Sequence, residues 1–214
     1  MPNPQSGPGD HYFSARPDSP SAPTTVELVL PEGIVLTLTT DRGVFSADAV
    51  DAGTRVLLGE APSLGGSRNV ADLGCGYGPI AVTMALRADP GTTVWAIDVN
   101  ARARQLCELN ARAAGVGEHV RVVAPEDVPA DLVLDQIWSN PPIRIGKANL
   151  HDMLTTWLDR LAPDGSASLV VHKHLGSDSL ARWLSAEGWA TERSASRAGY
   201  RVLTVATRPG EGGS

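Results

Sequence analysis

Residues 72–78 contain three glycines at alternate positions and form the first segment that could bind a ligand. The apolar pair Val70-Ala71 precedes them, and Pro79 follows at a position that suits the first turn of a helix. Since glycine has no Cβ, the backbone here can turn sharply and contact a bound molecule. The spacing G-x-G-x-G departs from the dinucleotide fingerprint G-x-G-x-x-G, which favours a nucleoside without phosphates over a pyrophosphate.

The carboxylate of Asp98 is a second candidate. Asp98 follows the β-rich run 92–97 and lies twenty positions after Gly78. A carboxylate at the end of a second strand, about this far beyond a glycine turn, is placed to accept hydrogen bonds from both hydroxyls of a ribose. The two segments together predict a nucleoside site, whereas the glycines alone could form only a tight turn.

The third candidate is the segment Ser-Asn-Pro-Pro-Ile at residues 139–143. Asn140 precedes a proline and is therefore expected to be extended, and Pro141 and Pro142 stiffen the backbone and have no N–H. The Asn140 amide oxygen and a free proline carbonyl could accept both hydrogens of an amino or carboxamide NH2 group. Such binding would turn the nitrogen lone pair toward an electrophile, which is catalysis by positioning. The alternative is a rigid turn with no chemical role.

The surrounding pattern predicts an α/β fold. Two β-rich runs around Pro31-Glu32-Gly33 indicate an N-terminal hairpin over residues 25–40. Apolar strands then alternate with helices, which is typical of a mostly parallel sheet covered by helices on both faces. The last two strands, 189–193 and 201–206, have little helix between them, so the final strand is expected to be antiparallel.

Polar residues follow several of the predicted strands. These residues are the glycine turn, Asp98, Glu126, Asp127 and Asn140. Because the carboxyl ends of parallel strands meet at one edge, where ligands bind in such sheets, we expect these residues to lie close together.

The helices give several local predictions. Thr54 is expected to cap the helix that carries Val56, Leu57 and Leu58. Asn100 is expected to cap the helix that contains Cys107, a small core residue. Residues 148–161 are predicted to form one helix. The buried face of the helix after Asn100 is expected to contain Leu106, Leu109 and Ala113. The buried face of the helix at 148–161 is expected to contain Leu150, Leu154, Trp157 and Leu161.

The composition is that of an ordinary soluble domain. The net charge of −6 gives no broad basic surface, so any nucleic-acid contact must come from a local patch. The two cysteines suit a reducing cytoplasm, and no apolar run reaches the length of a membrane span. We expect a cytoplasmic protein with a flexible tail at 1–24, one domain over 25–208 and a disordered tail at 209–214.

Taken together, these segments resemble the class I S-adenosylmethionine-dependent methyltransferases. They are most similar to the ribosomal RNA guanine-N2 branch, called the methyltransferase small domain. The likeness extends from about Thr39 to Val205, with matches at 43–46, 51–54, 72–78, Asp98, 140–142 and 173–175. The resemblance implies a Rossmann-like, seven-stranded, mostly parallel sheet with an antiparallel last strand. It also implies methyl transfer from S-adenosylmethionine to the exocyclic amino group of a guanine.

The resemblance assigns roles to residues. The implied cofactor-binding residues are Asp72, Gly74, Cys75, Gly76, Gly78, Asp98, Val99, Glu126, Asp127 and Asn140. Asp98 would hold the ribose, and Glu126 or Asp127 would lie near the adenine. Asn140, Pro141 and Pro142 would form the catalytic loop that holds the acceptor nitrogen. No metal is required, because the nitrogen can lose its proton after attack.

Substrate contacts are expected from Ile143, Arg144, Lys147 and Lys173. The family often has an aromatic residue at the position of Ile143, so a ring could come instead from Tyr12, Phe13 or Phe45. The basic residues that could form one RNA-binding patch are Arg144, Lys147, His172, Lys173, His174, Arg197 and Arg201. Scattered solvated charge is the other interpretation of these residues.

The expected partner is ribosomal RNA or a ribosomal subunit, without DNA or a membrane, and the protein is expected to be a monomer or weak dimer. Larger bacterial relatives carry an additional N-terminal domain for which this sequence is too short. Two alternatives stay open: methylation of a small molecule or protein amide, and a non-catalytic cofactor-binding partner domain.

Overall fold

The computed structural model of the protein describes residues 20–207. The first elements are two antiparallel strands, β1 (Thr24–Val29) and β2 (Val35–Thr40), which form the expected hairpin. Alternate side chains of both strands, such as Leu28 and Leu38, are buried against the rest of the protein. Tyr12 and Phe13, with most of the expected N-terminal tail and all of the tail at 209–214, lie outside the described residues.

Seven further strands form one sheet. They are β3 (Asn69–Leu73), β4 (Thr93–Ile97), β5 (Val120–Val123), β6 (Leu134–Ser139), β7 (Leu161–His172), β8 (Ala190–Arg197) and β9 (Tyr200–Ala206). Their order is β5-β4-β3-β6-β7-β9-β8, and β9 runs antiparallel to both of its neighbours, whereas the other neighbouring pairs are parallel. The predicted Rossmann-like fold with an antiparallel last strand is confirmed. The carboxyl ends of β3 to β7 and the start of β9 therefore lie at one edge.

Helices cover both faces of this sheet, as expected. The helices are α1 (Ala52–Glu60), α2 (Pro79–Arg87), α3 (Ala101–Ala113), α4 (Lys147–Leu158) and α5 (Ser177–Ala186). The first three helices and the hairpin share one hydrophobic core, and α4 and α5 share the other. Successive residues of β6 point to opposite faces, so Trp138 belongs to the first core and Ile137 to the second.

Asn110 of α3 attaches the hairpin to the core. Its Oδ1 accepts a hydrogen bond from the backbone N–H of Thr39 at 2.7 Å, and its Nδ2 donates to the Thr39 carbonyl at 2.8 Å. The same Nδ2 donates to the Tyr77 carbonyl at 2.7 Å. Since Asn110 is buried, these bonds satisfy its amide and join β2, α3 and the loop after β3.

The predicted buried face of α3 is right for Leu106 but wrong for Leu109 and Ala113, whereas Asn100 caps the helix and Cys107 is buried as expected. Leu109 is 48% exposed and Ala113 is also exposed. The residues that face the core are Ala103, Leu106, Cys107, Asn110 and Ala111. The polar residue Asn110 lies in the middle of the buried face. A prediction from apolar residues alone omits Asn110 and therefore places the buried face on a neighbouring side of the helix.

The predicted end of the helix at 148–161 is also wrong. The helix ends at Leu158, and Leu161 begins β7, where it pairs with Leu134 of β6. Leu161 is apolar because the strand is buried, and its helical spacing from Trp157 is a coincidence. Among the described helices, none is long and apolar enough to cross a membrane.

Candidate active site

The glycine loop connects β3 to α2 at the carboxyl edge of the sheet. The backbone N–H groups of Gly74 and Cys75 both donate to the Ile97 carbonyl, at 2.8 and 3.1 Å, so the loop is attached to the end of β4. Gly78 has φ 94°, and a Cβ there would lie 2.7 Å from the Cys107 sulfur. Gly76 has φ 55°, and a Cβ there would meet no atom within 4 Å, so this part of the loop faces open space that a ligand could fill.

Two of the expected cofactor-binding side chains lie beneath the loop. Asp72 is fully buried, and its Oδ2 accepts a hydrogen bond from the Ala81 N–H in the first turn of α2 at 2.9 Å. Its Oδ1 has no hydrogen-bond partner among the residues described, and burial raises the pKa of this carboxyl well above its usual value. The Cys75 thiol is buried too, and a hydrogen bond with Cys107 followed by burial raises its pKa. Cys75 can therefore offer a ligand only its backbone.

Asp98 lies directly beyond β4 and beside the glycine loop. Its Oδ2 accepts a hydrogen bond from the Gly76 N–H at 2.9 Å, and its Oδ1 accepts from the Asn100 N–H at 2.8 Å. Burial raises the pKa of the carboxyl, and these two hydrogen bonds partly oppose that shift. Each oxygen keeps a lone pair for a ligand hydroxyl, so the geometry suits a ribose.

The remaining candidates for cofactor contact are exposed at the same edge. Val99 follows Asp98 and is 45% exposed. Glu126 and Asp127 are exposed on a short 3-10 turn, Pro125–Asp127, that follows β5. The structure therefore places the glycine loop, Asp98 and this acidic turn at the ends of three adjacent parallel strands, which is the order that a nucleoside lying across the edge would need.

Asn140 follows β6 and is fixed by α1. Its Nδ2 donates to Asp51 Oδ2 at 2.8 Å and to Thr54 Oγ1 at 3.2 Å. An ionised carboxylate can only accept hydrogen bonds, so the nitrogen of the amide must face Asp51. The Asn140 oxygen is left available as an acceptor, and none of the described groups donates to it.

Asp51, and not Thr54 as predicted, caps α1. Its Oδ2 accepts a hydrogen bond from the Thr54 N–H at 3.1 Å. Thr54 lies inside the first turn, where its buried hydroxyl is free to contact Asn140. Asp51 had no direct role in the sequence-based prediction, although an aspartate immediately before a helix is a typical N-cap.

The proline carbonyls are not free, contrary to the sequence-based prediction. The Pro141 carbonyl accepts a hydrogen bond from the Ile143 N–H at 2.8 Å, and the Pro142 carbonyl accepts one from the Ile145 N–H at 3.1 Å. Both bonds belong to the tight turn that leads into α4. Each carbonyl oxygen keeps its second lone pair, so Pro141 can still accept a weaker bond from a substrate.

Ser139 sets the position of the loop at 140–142, the expected catalytic loop, relative to the glycine loop. Its buried hydroxyl donates to the Leu73 carbonyl at 2.7 Å, which joins the last residue of β6 to the last residue of β3. Asn140 and Gly74 are the next residues of the two strands. The Asn140 amide is therefore held beside the open side of the glycine loop.

The sequence-based prediction gave no role to two tyrosines that lie near Asp51. Tyr77, within the glycine loop, is buried, and its hydroxyl has no hydrogen-bond partner among the described groups. Tyr200 begins β9 and is half-buried. Burial, and then the charge of Asp51, raises the pKa of both phenols. Neither tyrosine lies near Asn140 in the sequence, so spacing could not have revealed them.

The basic residues divide into two groups. Arg144, Lys147 and Lys173 are exposed on the segments that follow β6 and β7. Arg197 instead pairs with Glu60 at 3.3 Å, and Arg201 binds Asp178. A carboxylate therefore offsets the charge of each of these two arginines, whereas a single RNA-binding patch stays a prediction. No cluster of residues able to hold a metal ion occurs within 20–207.

The sequence matches the family model of the methyltransferase small domain over residues 35–204. It is 34% identical over 175 residues to the uncharacterized protein YbxB of Bacillus subtilis, covering 79% of this chain and 85% of that protein. It is 36% identical over 162 residues to ribosomal RNA small subunit methyltransferase C of Shewanella oneidensis, covering 72% of this chain but 45% of that protein. The chain thus spans about half the length of the relatives with that name.

Solved structures share the fold. A Thermus thermophilus 16S rRNA N2 G1207 methyltransferase, solved with AdoMet and guanosine, matches with a TM-score of 0.75 and 23% identity, over 90% of this chain and 52% of that one. The mitomycin 7-O-methyltransferase MmcR matches with a TM-score of 0.59 and 13% identity, over 73% and 52% of the two chains. The family match confirms the predicted enzyme class and cofactor: the chain belongs to the methyltransferase small domain family of S-adenosylmethionine-dependent methyltransferases.

Proposed function

We propose that the protein methylates the exocyclic N2 amino group of a guanine in ribosomal RNA. The observation that carries this proposal is the fixed orientation of Asn140, whose amide nitrogen is engaged by Asp51 and Thr54. Its oxygen is left as an acceptor beside the glycine loop, as an amino-group substrate requires. The names of the ribosomal RNA methyltransferase relatives support RNA as the substrate.

S-adenosylmethionine supplies an electrophilic methyl group on its sulfonium. For its binding, the loop backbone at Gly74 and Gly76 faces open space, Asp98 offers carboxylate lone pairs, and the acidic turn with Glu126 and Asp127 lies at the next strand. The buried Asp72 acts indirectly, by fixing the start of α2 under the loop.

The chain contributes to the reaction mainly by positioning. Asn140 Oδ1 accepts one hydrogen of the amino group, and the Pro141 carbonyl accepts the other with its second lone pair. Both bonds turn the nitrogen lone pair toward the cofactor side of the site. The nitrogen becomes acidic once it has formed the new bond, so its proton can pass to water and no strong base is needed.

The exposed cations Arg144, Lys147 and Lys173 are the proposed contacts to the RNA backbone. Arg144 and Lys147 follow the loop at 140–142, and Lys173 follows β7, the strand next to β6, so all three lie near the proposed site of the target nucleotide. We also propose that the methyltransferase domain comprises residues 25–208.

The test uses labelled S-adenosylmethionine with purified protein and three acceptors: isolated small-subunit RNA, assembled ribosomal subunits and a metabolite extract. Labelled N2-methylguanosine in nuclease digests is the expected product, and Asn140→Ala should abolish it while S-adenosylmethionine affinity by calorimetry is kept. Label found only in the metabolite extract would replace the RNA proposal with a small-molecule methyltransferase. Cofactor binding without transfer to any of these acceptors would instead favour the non-catalytic partner domain.

A further inference from the structure

The catalytic loop lacks an aromatic side chain for a planar substrate. Ile143 replaces the ring expected after the two prolines, and it is half-buried against the hydrophobic core that contains α4. Asn140 is instead held by α1, which belongs to the core on the other face of the sheet. Two aromatic residues near this contact, Tyr77 and Tyr200, pack in the same core as α1.

Tyr200 lies on that side and at the correct edge of the sheet. It is the first residue of β9, and its register partner is His172, the last residue of β7. The two rings meet edge to face, with centroids 4.9 Å apart at an interplanar angle of 82°. An edge-to-face contact occupies at most one face of a ring, so the other face of the Tyr200 ring stays free of His172.

Gly53 relates Tyr200 to the catalytic amide. A Cβ on Gly53 would lie 2.7 Å from Tyr200 Cε1 and 2.8 Å from Asp51 Oδ2. The tyrosine ring and the carboxylate that holds Asn140 therefore both approach the same side of Gly53 more closely than a side chain there would allow. Any side chain larger than hydrogen at residue 53 would displace the ring, so the close approach depends on glycine.

We propose that Tyr200, whose ring meets His172 edge to face, is a substrate-binding residue against which the planar base of the acceptor nucleotide stacks. This inference rests on the proposed function, because it assumes that the acceptor is a nucleobase. The ring takes the part that Ile143 cannot take. Base stacking on an aromatic side chain tolerates any base, so Tyr200 determines that the substrate is planar while Asn140 recognises its amino group.

The first test compares Tyr200→Leu with Tyr200→Phe in the methyl-transfer assay. Tyr200→Leu should raise the KM for the RNA acceptor between about fivefold and a hundredfold, the range that corresponds to loss of one stacked base. The kcat and the affinity for S-adenosylmethionine should stay near the wild-type values. Tyr200→Phe keeps the ring and should behave as wild type, which a role of the hydroxyl group would not allow.

Trp183→Leu is the matched control. Trp183 lies on α5, on the other face of the sheet, where its ring stacks on His151 at 3.6 Å. Loss of this ring should leave the acceptor KM unchanged. If Phe45→Leu raises the KM and Tyr200→Leu does not, the stacking residue is Phe45, and the proposal is overturned.

A second measurement follows binding to the wild-type protein and needs a variant only for signal assignment. The ring protons of Tyr200, assigned by comparison with Tyr200→Phe, should move upfield when guanosine is added to the protein with S-adenosylhomocysteine. Ribose alone, which lacks a base, should not move them. Guanosine binding that leaves the Tyr200 signals in place would refute the proposal.

The two proposals fail in different ways. If the wild-type protein methylates RNA and Tyr200→Leu retains the wild-type KM, only the stacking role is lost. If the wild-type protein neither methylates RNA nor binds guanosine, the nucleobase substrate is excluded and both proposals are overturned.

Discussion

The side-chain nitrogen of Asn140 lies 2.8 Å from a carboxylate oxygen of Asp51, a residue 89 positions earlier in the chain. The same oxygen caps α1 by accepting a hydrogen bond from the Thr54 N–H. One carboxylate therefore both begins a helix and orients the amide proposed to hold the substrate. A defect in this contact should reduce the rate of the chemical step more than the binding of the cofactor.

Asp51→Ser should separate these two roles. Serine is as good an N-cap as aspartate, so α1 should be kept, but its hydroxyl is too short to reach Asn140. Without the carboxylate the amide can rotate, and we expect kcat to fall about tenfold or more, the scale of one missing hydrogen bond to a charged group. Calorimetry should show unchanged affinity for S-adenosylmethionine.

Thr54→Val is the companion variant, since it removes the second acceptor for the Asn140 amide at nearly constant volume. Its kcat should fall less than that of Asp51→Ser, because a neutral acceptor contributes less than a charged one. Full activity in Asp51→Ser would show that Asn140 is oriented by other groups.

Asp98→Ala should weaken the binding of S-adenosylmethionine by about 1–3 kcal/mol, because the ribose can no longer form charge-assisted hydrogen bonds. The loop should also loosen, since Asp98 accepts the Gly76 N–H. Asp98→Asn keeps one acceptor oxygen and should give an intermediate dissociation constant by calorimetry. Unchanged affinity in folded Asp98→Ala would remove the ribose role.

The architecture could be predicted from the sequence because it depends on the spacing of apolar residues and on the positions of polar residues after the strands. Apolar strands that alternate with helices identify a parallel sheet, and polar residues after each strand identify the edge that binds ligands. The bonds that join distant segments could not be predicted in this way. Asp51 contacts Asn140, and Tyr200 reaches Gly53, only because α1 and β9 pack beside the end of β6.

The error in the predicted buried face of α3 also came from contacts between distant segments. Asn110 is polar, yet it occupies the buried face of α3 because the hairpin and the glycine loop present backbone groups to it. A pattern of apolar residues excludes such a residue and selects the exposed Leu109 instead. Tertiary partners decide whether a polar side chain can be buried, and the sequence alone does not show those partners.

Asn110→Ala should destabilise the fold by about 2–4 kcal/mol, because it removes three hydrogen bonds and leaves backbone groups unpaired. Urea unfolding at constant pH measures this change. Asn149→Ala is the control, since Asn149 is exposed and donates one hydrogen bond, to the Ile145 carbonyl. Its effect should stay within about 0.5 kcal/mol. Equal effects of the two substitutions would argue against Asn110 as the anchor of the hairpin.

The buried carboxyl of Asp72 should make stability depend on pH. Burial raises its pKa in the folded state above the unfolded value, so between these two values the folded protein holds a proton that the unfolded chain has released. The contribution of Asp72 to the free energy of unfolding should therefore fall as pH rises through this window, and level off above the folded pKa.

Asp72→Asn keeps an acceptor for the Ala81 N–H and has no titratable proton. Urea unfolding of both proteins from pH 4 to pH 8 should show the wild type losing stability relative to the variant as pH rises. The slope cannot exceed about 1.4 kcal/mol per pH unit, the limit for one proton. A difference that stays constant over the whole range would mean that Asp72 has the same pKa in both states.

The exposed cations beside the catalytic loop decide between RNA and a small substrate. If Arg144, Lys147 and Lys173 bind phosphates, replacing all three with Ala should weaken RNA binding about equally for every sequence. The slope of log K against log salt should flatten by about 0.7–0.9 for each phosphate that is no longer bound.

The matched control replaces Arg68, Arg112 and Arg160 with Ala. This change removes the same charge near the opposite edge of the sheet, where β3 and β7 begin and α3 ends. That control should leave the slope unchanged. If both triple variants flatten the slope equally, the effect comes from net charge, and Arg144, Lys147 and Lys173 do not bind RNA phosphates specifically.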